Sequence, residues 1–463
     1  MSLDPFFDPD SVAVIGASRE GGKVGHAVLR NFVEEDFQGD IYPVNPKADR
    51  ILGLDASDSV LDIDADVDLA VVTVPSTVAN DVVEEAVEKE VGGVILITSG
   101  YSETGETGAE LEEELVDIVE GSDTRLIGPN CLGVYDSFSG VDTLFLPSYK
   151  LKRPPEGEIA IVTQSGAFGS AVMDLLAEME VGISRFISYG NQADVTELEL
   201  MEWLEADGET EAIAVYTEGV SDGRAFLETA KRVTEETPVI ALKGGKYGQG
   251  RAAVSSHTGS LAGSYDVYRG VFRQTRVLEA TTLDQLFDYS RALAYNPLLQ
   301  GKNIGVVTNG GGFGVLTADA LEERGLQLAE FSTASREQLR DVVPDYGNVE
   351  NPLDLVGDAD TERYERSLEV LGRDDAIDGL IVIPLLQPLP LDSDVIDTIV
   401  NFREEYAKPV VVCMTGGEYT DLHAENLEKN EVAAYPSPQR AADAMQALYQ
   451  YGAWHDGADG QEL

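Results

Sequence analysis

Residues 158–176 read EIAIVTQSGAFGSAVMDLL, and residues 303–325 read NIGVVTNGGGFGVLTADALEERG. Each opens on β-branched residues, passes a glycine-rich turn and continues with apolar residues at helical spacing. That pattern predicts strand, loop, helix. Set at an offset of 145, residues 159–178 and 304–323 share nine identities: Ile159, Val162, Thr163, Gly166, Phe168, Gly169, Asp174, Leu176 and Glu178 match their partners. Any two strand–loop–helix units look somewhat alike. Four of the nine identities fall in Thr-x-x-Gly-x-Phe-Gly, however, which general likeness does not require. The pair reads as an internal repeat of two flavodoxin-like parallel sheets.

The same alternation extends N-terminally. SVAVIG (11–16), IYPVN (41–45), DLAVVTVP (68–75) and GGVILITSG (92–100) read as strands. The stretch 77–91 between two of them reads as a helix, with Val78, Val82, Val83, Ala86 and Val87 on one face. The fold class expected is therefore α/β: a Rossmann-like domain followed by two flavodoxin-like parallel-sheet domains. The expected boundaries are 1–128, 129–297 and 298–463, with LKRPPEG (151–157) and NPLLQGK (296–302) as linker-like turns. A chain of 463 residues has room for about three domains of ~150 residues.

The chain carries 84 acids against 32 bases, a formal charge of −52. Such a surface repels nucleic acid and anionic lipid, so neither is an expected partner. The acids are spread along periodic apolar segments rather than gathered in a tail, which argues for a globular protein adapted to concentrated salt. At ~1 M salt the Debye length falls to ~3 Å and the self-repulsion is screened. Two cysteines give neither a disulfide framework nor zinc-ligand spacing. The acidic start MSLDPFFDPD has no apolar signal core, and no apolar run reaches the ~20 residues of a membrane span. A soluble cytoplasmic protein is the expectation.

Three constellations could carry chemistry. VIGASREGGKVG (14–25) follows a strand and resembles a phosphate-binding turn, although it is not G-x-G-x-x-G; a plain turn without ligand is the alternative. The second strand ends Asn45-Pro46-Lys47. NAD binding favours an acid there, whereas a lysine suits the extra ribose phosphate of coenzyme A or NADP. The chain has eleven lysines, yet Lys23, Lys47, Lys243 and Lys246 fall beside glycine loops. Next, TQSGAFG (163–169) and TNGGGFG (308–314) each precede a helix, where small residues let an anion approach free N–H groups. For the first loop, anion binding and tight packing both stand; the second favours packing. Last, Glu218 ends a strand, in the crevice where ligands of such sheets bind. It is placed to orient His257 of SSHTGSLAG (255–263), one of four histidines. One ring nitrogen would then be held and the other left nucleophilic. G-x-x-x-x-G-K-[ST], H-E-x-x-H and C-x-x-C are all absent, so no metal ligands are expected and the chain does not read as an ATP binder by itself.

These motifs together resemble a family. VIGAS (14–18), IYPVNPK (41–47), TSGYSETG (98–105), RLIGPNCLGV (125–134), TQSGAFGSA (163–171), YTEGV (216–220), LKGGK (242–246), RAAVSSHTGSLAG (251–263) and NPLDLVGDA (351–359) are similar to the α subunit of NDP-forming (ADP-forming) acyl-CoA synthetases. These are acid–CoA ligases of the acetate–CoA ligase type, related to succinyl-CoA synthetase. The resemblance covers nearly the whole chain. It implies a CoA-binding domain, a ligase domain with a phosphorylated histidine, and a third flavodoxin-like domain. It also implies a separate ATP-grasp β subunit that holds ATP or ADP with Mg²⁺, and hence a hetero-oligomer. By motif, His257 would be the phosphorylated residue and Glu218 its stabiliser. Ser165, Gly166 and Ala167 would receive the phosphoryl group. Gly16, Ala17, Ser18, Lys47, Val74, Pro75 and Ser99 would lie along CoA. The implied reaction interconverts acyl-CoA, ADP and phosphate with acid, CoA and ATP, through acyl phosphate and phosphohistidine. The alternatives are a non-catalytic CoA-binding regulatory subunit, the CoA-ligase-like part of a protein acetyltransferase, or an NADP-dependent oxidoreductase. The last leaves the repeat and the His257 loop unexplained.

Overall fold

The first strand, Ser11–Ile15 (β1), is buried along its whole length, as a β-branched run must be when helices cover both faces of its sheet. The computed structural model describes residues 2–34, 37–220, 222–251 and 264–455. They divide into two compact units. One comprises Met1–Glu178 and Gly182–Glu279, the other Met179–Val181 and Ala280–Leu463.

The first unit holds two sheets. In the N-terminal sheet β1 is joined by Asp40–Val44 (β2), Leu69–Val72 (β3), Gly93–Leu96 (β4) and Arg125–Ile127 (β5), in the order β2-β1-β3-β4-β5. All its pairings are parallel. Strand order reverses between β1 and β3, which opens a crevice at their carboxyl ends. Helix Val24–Glu34 (α1) follows β1, and helix Ser76–Glu88 (α2) follows β3. The buried stripe of α2 is Ala79, Asn80, Val83 and Ala86, while Val78 is 43% exposed. The expected apolar face thus holds at Val83 and Ala86 but is rotated off Val78. At 100° per residue, the stripe through Ala79, Val83 and Ala86 leaves Val78 at its edge.

The second sheet of this unit comprises Gly133–Asp136 (β6), Ile159–Thr163 (β7), Arg185–Ser188 (β8), Ala212–Thr217 (β9), Val239–Lys243 (β10) and Leu278–Ala280 (β11), ordered β11-β10-β9-β7-β8-β6. Only β6, at the edge, is shown antiparallel to its neighbour. RLIGPNCLGV spans the junction: its start is the last strand of one sheet and its end the first of the next. A continuous core runs from Val12, Val14 and Leu69 to Ile187, Tyr189 and Val215. Arg125 adds a partly buried ion triad, with Asp194 at 2.9 Å and Glu199 at 2.7 Å.

In the second unit the sheet is Asn303–Thr308 (β12), Gln327–Leu328 (β13), Leu353–Asp354 (β14), Gly379–Ile383 (β15), Val410–Cys413 (β16) and Ala434–Tyr435 (β17). Its order is β13-β12-β15-β16-β17, and β14 also pairs with β12. The repeat read from sequence has its counterpart here. β7 leads into helix Gly166–Glu178 (α3) and β12 into helix Gly311–Glu323 (α4). In each sheet the strand next in sequence pairs on one side of this unit, and β9 or β15 pairs on the other. Helix Leu283–Tyr295 (α5), which the expected boundary at 297 places with the preceding domain, packs within this unit. Its Arg291, 1% exposed, pairs with Asp288 at 2.7 Å and with Glu428, and lies over the Tyr435 ring. Linker-like composition marked a loop there, whereas the ion network determines which core the helix joins.

Among the described residues no helix is long and apolar enough to cross a membrane.

Candidate active site

The carboxyl ends of the first unit's two sheets line one cavity of about 1110 Å³. The N-terminal sheet supplies Thr73, Val74, Pro75, Ile97, Thr98 and Ser99. The second supplies Gln164, Ser165, Gly166 and Ala167. Of the residues expected from sequence, Val74, Pro75, Ser99, Ser165, Gly166 and Ala167 are thus brought together. The turns are held by short side chains: Thr73 Oγ1 donates to the Ile15 carbonyl at 3.0 Å and Thr98 Oγ1 to the Val74 carbonyl at 2.6 Å.

Gly16, Ala17, Ser18 and Lys47 lie beside this cavity rather than in its wall. A Cβ at Gly16 would stand 2.7 Å from Thr73 Oγ1 and 3.0 Å from Val74 Cγ1, so the turn after β1 backs the cavity directly. Ala17 is fully buried, and its carbonyl accepts from Asn45 Nδ2 at 2.6 Å. His26 Nδ1 donates to the Ser18 carbonyl at 2.8 Å. Lys47 is exposed and its carbonyl accepts from Arg19 Nη2 at 3.3 Å. Arg19 thus reaches the Lys47 backbone, in a chain carrying −52.

The TQSG turn is built to leave N–H groups open. Thr163 Oγ1 donates to the Ser165 carbonyl at 3.0 Å and accepts from Ser165 N–H at 3.1 Å. Ser165 Oγ accepts from Phe168 N–H at 3.3 Å, which caps the first turn of α3. The N–H groups of Gly166 and Ala167 have no acceptor inside the helix, and the two residues are half-exposed and exposed respectively. The second glycine loop repeats the turn, since Thr308 Oγ1 accepts from Gly310 N–H at 3.0 Å. Its surroundings differ. A Cβ at Gly310 would meet Leu385 at 2.3 Å, and one at Gly311 the Asp354 carboxylate at 2.6 Å. A carboxylate there repels an anion, so packing accounts for that loop.

Glu218 lies just beyond β9 and is 9% exposed. Its N–H donates to Gln164 Oε1 at 2.8 Å, and the Tyr216 hydroxyl donates to Glu218 Oε1 at 3.3 Å. The Tyr216 ring stacks on Phe168 of α3 at 4.0 Å. Burial, and the charge of Glu218 after it, push the Tyr216 hydroxyl up to about 12, so the phenol stays protonated and donates. Gln164 and Tyr216 were not singled out in the sequence, although both lie inside quoted motifs. Strand pairing sets Gln164 on Glu218, whereas Tyr216 reaches it from two residues earlier in the chain. Lys243, grouped above with the phosphate-seeking lysines, is 3% exposed. Its ammonium donates to the Glu218 carbonyl at 2.7 Å and to the Gly244 carbonyl, and lies over the Tyr268 ring. Burial lowers its pKa, and the charge of Glu218 opposes that. It anchors the Glu218 turn.

Two further groups were missed. Glu103, at the cavity edge, accepts from Gly100 N–H at 2.5 Å and from Asn191 Nδ2 at 2.7 Å. Cys131 also lines the cavity, but burial pushes its thiol up to about 12, which removes it as a nucleophile. His257 lies outside the described residues. Among those described, no cluster of three metal-ligating side chains occurs.

Comparisons with known proteins bear on the family and the fold. Family models match residues 10–137 as a CoA binding domain, 156–293 as a succinyl-CoA ligase like flavodoxin domain and 304–458 as a ligase-CoA domain. The chain is 40% identical over 452 residues to the acetate–CoA ligase [ADP-forming] II subunit alpha of Pyrococcus furiosus, covering 97% of each. It is 32% identical to the 4-hydroxybutyrate–CoA ligase [ADP-forming] of Nitrosopumilus maritimus, covering all of this chain and 66% of that protein. A solved structure of the dinucleotide forming acetyl-coenzyme A synthetase 1 of Ca. Korarchaeum cryptofilum, in complex with phosphate and ADP, superposes with a TM-score of 0.91. Sequence identity is 34%, and all of both chains is covered.

Proposed function

The chain belongs to the family of ADP-forming acetate–CoA ligase α subunits, and from that premise we propose how its residues divide the work. It is an acid–CoA ligase of the NDP-forming class, uses CoA as a substrate, and acts within a hetero-oligomer. The relatives favour this reading over a non-catalytic subunit or an acetyltransferase part. In the proposal the partner is an ATP-grasp β subunit that holds ADP or ATP with Mg²⁺, the working compartment is the cytoplasm, and residues 1–128, 129–297 and 298–463 are the CoA-binding, ligase and third domains by sequence, with α5 packing in the second unit.

The observation that carries the reading is the shared cavity, in which Val74, Pro75 and Ser99 face Ser165, Gly166 and Ala167. CoA enters past Gly16, Ala17 and Ser18, with its ribose phosphate near Lys47, and its thiol end reaches the TQSG turn. Phosphate bound on the Gly166 and Ala167 N–H groups attacks the thioester carbon; the CoA thiolate leaves and an acyl phosphate forms. A ring nitrogen of His257 then attacks phosphorus and the carboxylate leaves. Glu218, held by Gln164 and Tyr216, accepts from the other ring nitrogen and keeps the imidazole oriented. The phosphohistidine passes its phosphoryl group to ADP on the partner. Phosphoryl transfer needs positioning and anion stabilisation above all, and a helix N-terminus offers ~0.3–2 kcal/mol of the latter besides its charge-assisted hydrogen bonds.

With its partner subunit, labelled phosphate and acyl-CoA, the chain acquires acid-labile label, and His257→Ala abolishes it. Undiminished labelling of His257→Ala would sink the assignment.

A further inference from the structure

The CoA reading of the cavity accounts for two of its sides and leaves a third. Pantetheine is assigned to the side of Val74, Pro75 and Ser99, and phosphate to Ser165–Ala167. The thioester carbon must lie between them, within reach of the phosphate. Of the lining that remains, Glu103, Thr104, Asn130 and Gln164 are polar, and the apolar stretch that an acyl chain can face is Leu132, Phe145 and Leu146.

We propose that Leu132, Phe145 and Leu146 form the acyl-binding wall, with the Phe145 ring setting acyl length, and that the wall takes uncharged chains longer than acetyl. This rests on the CoA reading above. Leu132 abuts the anion cradle, since a Cβ at Gly166 would stand 3.2 Å from Leu132 Cβ. It is 2% exposed, and its N–H donates to Ser188 Oγ at 3.1 Å, so it has a fixed position at the reacting centre. Phe145 and Leu146 are half-buried on a segment tied at two points. Asn31 Nδ2 donates to the Leu144 carbonyl at 2.7 Å, and Arg153 Nη2 to the Leu146 carbonyl at 2.9 Å. Arg153 is itself paired with buried Asp142 at 2.7 Å. The wall is therefore braced, as a surface that discriminates lengths must be.

Charge and volume decide the class. Among the described lining residues there is no lysine, arginine or histidine, and the one acid is Glu103. An acyl chain ending in a second carboxylate would be buried there without a counter-ion. The cavity of about 1110 Å³ exceeds the ~300–1,000 Å³ that suffices for most bound small molecules, so pantetheine leaves room for more than two carbons.

The test titrates the full chain with CoA, S-ethyl-CoA, S-hexyl-CoA and S-(3-carboxypropyl)-CoA, with affinities taken relative to CoA. The wild type should prefer the hexyl to the carboxypropyl thioether by about tenfold. Phe145→Ala should shift the hexyl-to-ethyl ratio up by about tenfold and Phe145→Trp shift it down. Turnover of hexanoyl-CoA against acetyl-CoA, with the partner present, should follow the same order. A ratio identical in all three proteins, each still binding CoA, overturns the wall alone. Equal affinity for the carboxylated thioether overturns the uncharged-chain class. Failure of the wild type to bind CoA overturns the reading of the cavity as well.

Discussion

Glu197 is 1% exposed, at the first position of the helix Glu197–Ala206. A helix N-terminus favours a carboxylate by up to ~2 kcal/mol, yet burial wins and pushes this carboxyl up from the usual 4.5 to about 7, with Gln192 and its own N–H pulling weakly the other way. The folded group keeps its proton to about pH 7 while the unfolded one loses it near 4.5. Between those values the native state binds more protons, so its stability falls as pH rises. Glu197→Gln should therefore gain on the wild type between pH 5 and pH 8 by roughly 3 kcal/mol, read from denaturant midpoints. A difference that stays constant over that range would show that burial does not control this carboxyl. Glu218, twenty-one residues on, is in a different position: an amide, a phenol and a buried ammonium fix its turn.

At the scale of elements, the strand–turn–helix unit is used three ways. After β7 it leaves N–H groups facing a cavity; after β12 Leu385 and Asp354 fill the same space. After β1 the helix approaches so closely that a Cβ at Gly25 would stand 2.1 Å from the Gly16 carbonyl oxygen and 2.7 Å from Thr73 Oγ1. Gly25→Ala must push α1 away from the turn. Overpacking of this kind costs about 1–3 kcal/mol, and the displaced turn should bind CoA more weakly. Gly21→Ala, whose Cβ would meet nothing within 4 Å, is the control. Calorimetric melting and CoA titration of both variants check this. A Gly25→Ala protein as stable and as tight-binding as Gly21→Ala would contradict it.

Over the whole molecule the charge of −52 is the dominant feature, and the cavity lies within it. We read the charge as adaptation to concentrated salt. Raising KCl from about 0.1 M to about 2 M shortens the Debye length from ~10 Å to under ~3 Å and should raise the melting temperature. A flat or falling melting temperature across that range would remove the salt reading. Screening also weakens the hold of Lys47 and Arg19 on an anion. Uncharged contacts such as Val74 and Pro75 therefore have to carry more of the binding of a ligand in salt.

The order of strands and helices, the repeat and the motifs at strand ends were determined by the sequence itself. Apolar period and glycine placement are local properties: VTQSGAFG specifies strand, turn and helix through neighbours in the chain. So the α/β class, and the gathering of Ser165, Gly166 and Ala167 at a helix start, could be read in advance. What lies beside those residues could not. Gln164 meets Glu218 because β7 and β9 pair, fifty-four residues apart. Lys243 turned from a phosphate candidate into a clamp because burial left its ammonium two carbonyls to satisfy. Phe145 faces the cavity through bonds from Asn31 and Arg153, to either side of it in sequence. The helix Leu283–Tyr295 joined the second unit through the partners of Arg291. Sheet pairing and desolvation act across long stretches of chain. They decide which of many glutamates, lysines and phenylalanines share one enclosed space, and no local pattern records that.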